Sequence, residues 1–293
     1  MIFFEKPNWS IIRSHFKPNC ILMISVIAVS IYTLMDKIMI EWMTSTTEVG
    51  YYENTEKIVA IANNVAGAVG AVMLPRVSNL RASGNDDKVL SYIGKSMKYI
   101  MLIAVALAFG IAGVSKSFSI VYYGKEFEKC GILLMVISPA IVFYAASNVL
   151  RNQYLLPKDM DRVFVTATVA ASVLNFVLNA IFIPMYGALG AVIGTVGAQL
   201  GELIYQVIKT RKELPIKKYV FDVFPYICFG IVMFFICKKI EVIKGVSVMS
   251  LIMQIMVGAV AFVIMVSIYF IITRDELFEG IIDKIRKGVK NRK

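Results

Sequence analysis

Long apolar runs separated by short basic stretches set the plan of this chain. A helix needs about 20 apolar residues to cross the hydrocarbon core of a bilayer. Runs of that kind predict eight spans, at roughly 18–42, 52–75, 96–114, 131–156, 163–185, 188–208, 220–237 and 246–272. The second is continuous only with Asn63 and Asn64 inside it. The loops between runs are short, and none could fold as a soluble catalytic domain. The expected fold class is therefore an all-α membrane protein. Pro139 and Pro225 are placed to kink the helices that carry them.

Composition agrees with the pattern. Of 293 residues, 58% are hydrophobic and only 17% charged, against roughly 45–50% and 25% in a soluble domain. A formal net charge of +11 could suggest nucleic acid. The basic residues lie between apolar runs rather than on one face, so they report topology instead and no nucleic-acid partner is expected. Among the 31 lysines and arginines, Lys37 and Lys57 fall inside spans, and only Lys116, Lys125, Lys129, Lys238, Lys239 and Lys244 lie on the side opposite the termini. Because cytoplasmic loops carry the excess of Lys and Arg, both termini are expected in the cytoplasm of a multi-pass cell-membrane protein. Met1–Ser10 has no long apolar core and is interrupted by Glu5, Lys6 and Pro7, so no cleavable signal is expected.

The polar exceptions within the runs are the candidate chemistry. The segment YTLMDKIMIEWMTSTTEVGYYENTEK sets Asp36 and Lys37 in one span and Glu53, Glu56 and Lys57 at the start of the next. An ionised group near the centre of a membrane helix costs on the order of 2.5–3.5 kcal/mol, so such groups pair, face an internal cavity or handle a polar substrate. Sequence neighbours on a helix point about 100° apart, which favours pairing between helices, such as Asp36 with Lys57. Helical spacing also aligns Glu53, Glu56, Lys57, Asn63, Asn64 and Gly67 as one stripe. Similar stripes are Tyr144, Ser147, Asn148, Arg151 and Asn152; Thr168, Ser172, Asn175 and Asn179; and Thr195, Gln199, Glu202 and Gln206. Four polar faces predict either a bundle around a wet cavity or helices joined by interhelical hydrogen bonds. Gly190, Gly194, Gly197 and Gly201 predict close helix packing.

Enzymatic chemistry finds no support. The chain has one histidine, His15, and its four cysteines lack metal-ligand spacing and read as apolar fillers. No Gly-rich phosphate loop, nucleophile elbow or His-bearing metal motif is present, so no catalytic residue, metal or cofactor is expected.

The block YTLMDKIMIEW…EVGYYENTEKIV resembles a signature of Wzx-like polysaccharide-biosynthesis flippases, the O-antigen and capsule-repeat transporters of the multidrug/oligosaccharidyl-lipid/polysaccharide exporter superfamily. LPRVSNL, YYGKEF and SVLNFVLNAIFIPMYGALGAVIGT are similar to later landmarks of that family, so the resemblance runs from about Lys6 to Ile272. It implies a flippase that moves an undecaprenyl-diphosphate-linked oligosaccharide across the cytoplasmic membrane by alternating access, driven by a proton or cation gradient. It also implies two lobes of helices with 12 to 14 spans, of which the matched block resembles the seventh onward. On that resemblance the expectation is a truncated flippase. A cytoplasmic connector occupies 1–17, a six-helix second lobe 18–208, two additional transmembrane helices 209–272 and a basic cytoplasmic tail 273–293. The tail is either an amphipathic helix on the inner leaflet or a frayed basic end. The expected substrate path draws on Asp36, Lys37, Glu53, Glu56, Lys57, Asn64, Arg151, Asn175, Asn179, Gln199 and Glu202. Expected partners are the bilayer, the lipid-linked oligosaccharide, and a separately encoded N-terminal lobe or glycan-synthesis proteins. The competing readings are a cation-coupled multidrug or toxin extruder of the same fold and a non-transporting member of a glycan-assembly complex.

Overall fold

The computed structural model describes residues 34–275 apart from Asn85. The connector, the first half of the first expected span and the tail beyond Asp275 lie outside the described residues. Among the described residues every regular element is helical, with no strand.

A helical stretch over 34–43 (α1) ends in a tight turn at Thr44 and Ser45. Helix α2, Thr46–Ala82, starts there because Ser45 is a good N-cap: its backbone is extended and its Oγ accepts from Glu48 N at 3.4 Å. It runs unbroken through Asn63, Asn64 and Pro75. Helix α3, Asp86–Tyr123, is of similar length. At 1.5 Å per residue each spans about 55 Å, well beyond the roughly 30 Å hydrocarbon core. The stretch from Arg76 to Lys95, which the hydropathy pattern leaves outside the membrane, is thus mostly helix.

The fourth expected span is broken. Helix α4, Glu128–Ile137, and helix α5, Pro139–Leu150, meet at Ser138 within a span bent by 42°. Pro139 supplies the break, since it cannot donate the next helical hydrogen bond. Helix α5 then widens into an i→i+5 turn over Arg151–Leu155. By contrast, α8, Ile216–Lys244, runs through Pro225 without interruption.

Helices α6, Asp161–Tyr186, and α7, Ala188–Thr210, form an antiparallel hairpin around Gly187, whose φ of +62° suits glycine. This is the most extensive helix–helix packing in the chain. It depends on the glycine row: a Cβ at Gly190 would fall 2.2 Å from Phe182 O, and one at Gly194 would fall 2.0 Å from Asn179 Oδ1. The predicted close packing is present. Helices α8 and α9, Val248–Thr273, pack on α3, where Gln254 Nε2 donates to Ser117 Oγ at 2.8 Å.

The described part has five helices long and apolar enough to cross a membrane (α3, α6, α7, α8 and α9), and up to six if the bent α4–α5 pair counts as one. Helix α2 is not among them despite its 37 residues.

Candidate functional site

The polar residues inside the helices fall into three groups. The first is a buried node around the Asp36 carboxylate. Tyr52 OH on α2 donates to Asp36 Oδ2 at 2.5 Å, and Asn179 Nδ2 on α6 donates to Oδ1 at 2.6 Å. Asn179 also donates to Asn175 Oδ1 one turn earlier, at 3.2 Å. Thr195 Oγ1 on α7 lies 3.0 Å from Tyr52 OH and 3.4 Å from Asp36 Oδ2. Tyr52 and Asn179 are fully buried, and Asn175 nearly so. Four helices therefore meet at one carboxylate, whose two oxygens take charge-assisted bonds.

The Tyr51–Tyr52 pair shows why this arises locally. Adjacent side chains diverge on a helix, so Tyr52 turns inward to Asp36 while Tyr51 OH donates outward to Glu126 O at 3.1 Å. One turn before them, Glu48 ties three helices together. Its carboxylate accepts from Lys129 Nζ on α4 at 2.5 Å and from Ala188 N, the first residue of α7, at 2.8 Å. An acidic group at a helix N-terminus is favourable because the first-turn N–H groups lack intrahelical partners.

The second group is a charged rim. Lys37 pairs with Glu56 at 3.0 Å between α1 and α2, and Lys57 pairs with Glu53 at 3.1 Å within α2. The expected Asp36–Lys57 bridge does not form. The Asp36 carboxylate points to Tyr52 and Asn179, whereas Lys57 lies on the opposite face of α2, where its side chain is 62% exposed and Glu53 is in reach one turn earlier. Asn64 is on this same uncovered face, with Ile61 and Val65.

The third group lines a cavity of about 130 Å³ between α5, α6 and α7. Its walls are Tyr144, Ser147, Asn148, Arg151, Phe164, Thr168, Gln199 and Glu202. The Arg151 guanidinium sits over the Phe164 ring at 5.4 Å and within electrostatic range of Glu202. Glu202 Oε1 accepts from Gln206 Nε2 at 3.1 Å. Ser147 Oγ and Gln199 Oε1 are buried with no hydrogen-bond partner among the described residues, and such atoms call for water or a ligand. The cavity has room for a few waters or a phosphate-sized group but not for an oligosaccharide.

The expected path residues are thus distributed. Asp36, Asn175 and Asn179 converge; Lys37 and Glu56, and Glu53 and Lys57, form two ion pairs; Arg151, Gln199 and Glu202 share the cavity; Asn64 stands apart. Tyr52 and Thr195 complete the node although neither was in the expected substrate path; Thr195 was on one of the polar stripes, and Tyr52 was on none. For Thr195 the signal was its place on the stripe with Gln199 and Glu202; for Tyr52 it was a tyrosine sixteen residues after Asp36 that nothing local required. Among the described residues no cluster of His, Cys, Asp and Glu could hold a metal ion.

Long apolar helices with polar groups gathered at helix junctions define a polytopic membrane protein. Residues 6–273 match the family described as "Lipid II flippase MurJ", and the chain belongs to that family. It is 27% identical over 191 residues to a "Probable low-salt glycan biosynthesis flippase Agl15" of Haloferax volcanii, a match covering 65% of this chain and 40% of that protein. It is 22% identical over 172 residues to a "Putative O-antigen transporter" of Shigella dysenteriae, covering 58% of this chain and 42% of the other. A solved "Lipid II flippase MurJ, inward closed conformation" shares the fold, with a TM-score of 0.70 at 18% identity over 84% of this chain and 51% of that one. The chain thus spans about half the length of the relatives it matches.

Proposed function

We propose that this chain forms the second lobe of a flippase that carries an undecaprenyl-diphosphate-linked oligosaccharide across the cytoplasmic membrane for capsule, O-antigen or exopolysaccharide synthesis. Helix α2 carries the reading. It is 37 residues long and therefore of membrane length, yet lipid is a poor solvent for its face bearing Glu53, Lys57 and Asn64. No other part of the described chain covers that face. A water-filled path between two lobes satisfies those groups, and alternating access requires two such lobes to rock against one another. The first lobe is supplied by another part of the same polypeptide or by a separate one. Both termini of the second lobe are cytoplasmic.

The proposed division of labour follows the three groups. Lys57 and Glu53 meet the polar substrate at the outer mouth, and Arg151 faces the diphosphate from the inner half. The Asp36 node is where the cation or proton gradient acts, because one buried carboxylate holds α1 to α2, α6 and α7. Neutralising it by an ion, or uncovering it, changes how those helices are held together.

Vesicles containing this chain and an intact first lobe, loaded with a fluorescent lipid-linked oligosaccharide, test the reading. Lys57→Gln and Arg151→Gln each lower the flipping rate at least about tenfold, the effect of losing roughly 1.4 kcal/mol of interaction, with unchanged thermal stability in detergent. Unaltered flipping in both variants would defeat the assignment.

A further inference from the structure

A cavity of about 570 Å³ opens at the end of the molecule that carries the excess of basic residues, between the first turns of α3, the start of α8 and the end of α9. Lys95, Lys98, Lys218 and Arg274 line it, together with the carboxylates of Asp222 and Asp275. Asp275 is already engaged: Lys98 Nζ pairs with its Oδ2, and Tyr99 OH donates to its Oδ1 at 2.8 Å. That contact pins the end of α9 to α3 and leaves the basin with an excess of positive charge. On its inner wall Tyr219 is 94% buried by its 6% exposure, and its hydroxyl has no hydrogen-bond partner among the described residues. The same ring walls a second cavity of about 190 Å³, which is lined by apolar side chains including Met97, Met101, Val220 and Ile227.

A cationic basin adjoining an apolar groove across one tyrosine is the outline of an amphiphile with an anionic head. We propose that this site binds an anionic phospholipid of the inner leaflet. Its phosphate lies between Lys218 and Arg274 and accepts from the Tyr219 hydroxyl, while an acyl chain enters the groove along Met97 and Val220. Basic pockets between helices on the cytoplasmic side suit such headgroups. The chain's own tail is a poorer occupant, since Lys284, Arg286, Lys287, Lys290, Arg292 and Lys293 outnumber its acids. The site is separate from the polar groups assigned to transport and does not depend on that assignment.

Native mass spectrometry of the full chain in detergent, titrated with phosphatidylglycerol or phosphatidylcholine, provides the test. Phosphatidylglycerol binds more tightly to the unaltered chain. The double variant Lys218→Gln/Arg274→Gln weakens it about 30-fold, at about fivefold for each cation near an anionic lipid and about one and a half decades for the pair. Phosphatidylcholine binding does not change. The matched double variant Lys239→Gln/Lys244→Gln removes the same net charge at the other end and leaves phosphatidylglycerol binding intact. Equal affinity for the two lipids, or equal loss in both double variants, overturns the proposal. Displacement of the lipid by millimolar inorganic phosphate overturns it too, because it assigns the basin to a free anion. Tighter binding of undecaprenyl phosphate than of phosphatidylglycerol overturns it in favour of the transported lipid.

Discussion

Asp36 and Gly194 show how single positions constrain this fold. The Asp36 carboxylate is tolerated among apolar helices because Tyr52 and Asn179 solvate it from two directions. A hydrogen bond to a charged group contributes about 1.5–3 kcal/mol. Tyr52→Phe is therefore expected to destabilise the chain by about that amount in a denaturant or thermal titration. Tyr51→Phe, losing only a bond at an exposed rim, should cost under about 1 kcal/mol. The same titration separates two glycines. Gly194→Ala forces a methyl against the Asn179 amide, 2.0 Å away, and should cost about 1–3 kcal/mol by overpacking. Gly50→Ala meets nothing within 4 Å inside α2 and should raise stability by roughly 0.5–1 kcal/mol, because alanine is the better helix former.

Among the elements, α2 and the α6–α7 hairpin divide the work. The hairpin is rigid because its glycines bring two backbones together along their length. Helix α2 connects to it through the Asp36 node and through Glu48, which caps α7 at Ala188 and pairs with Lys129. Glu48→Ala removes both contacts. With the Lys129 and Glu48 side chains 36% and 18% exposed, the loss is expected to be about 1–2 kcal/mol once solvent screening is allowed for. Hydrogen exchange provides the sharper readout: the first amides of α7 should exchange faster, while those of α9 should not change. The bend at Ser138 and Pro139 was expected from the proline, but so was one at Pro225, where α8 runs on unbroken. The wide turn at Arg151–Leu155 had no such signal; α2 and α6 pack against it.

At the scale of the whole molecule, topology is the testable property. In a cysteine-free background, Gly84→Cys, at the α2–α3 turn, should react with a membrane-impermeant thiol reagent only after permeabilisation. Gly245→Cys, at the α8–α9 turn, should react in intact cells; both glycines sit at positive φ with open space around them. The opposite pattern would reverse the proposed orientation. The sequence by itself determined the helical class, the apolar cores of the described helices, the glycine packing face and the resemblance to glycan flippases. The first three follow from near-neighbour physics, since lipid demands satisfied backbones and helical spacing assigns residues to faces; the resemblance rests on the motif blocks themselves. Only the tertiary structure decided which charges meet. Helix rotation sends Asp36 to Tyr52, Asn179 and Thr195, and leaves Lys57 to Glu53. A rotation of a few tens of degrees about a helix axis exchanges one partner for another without altering any pattern along the chain, so no spacing rule could have chosen between them.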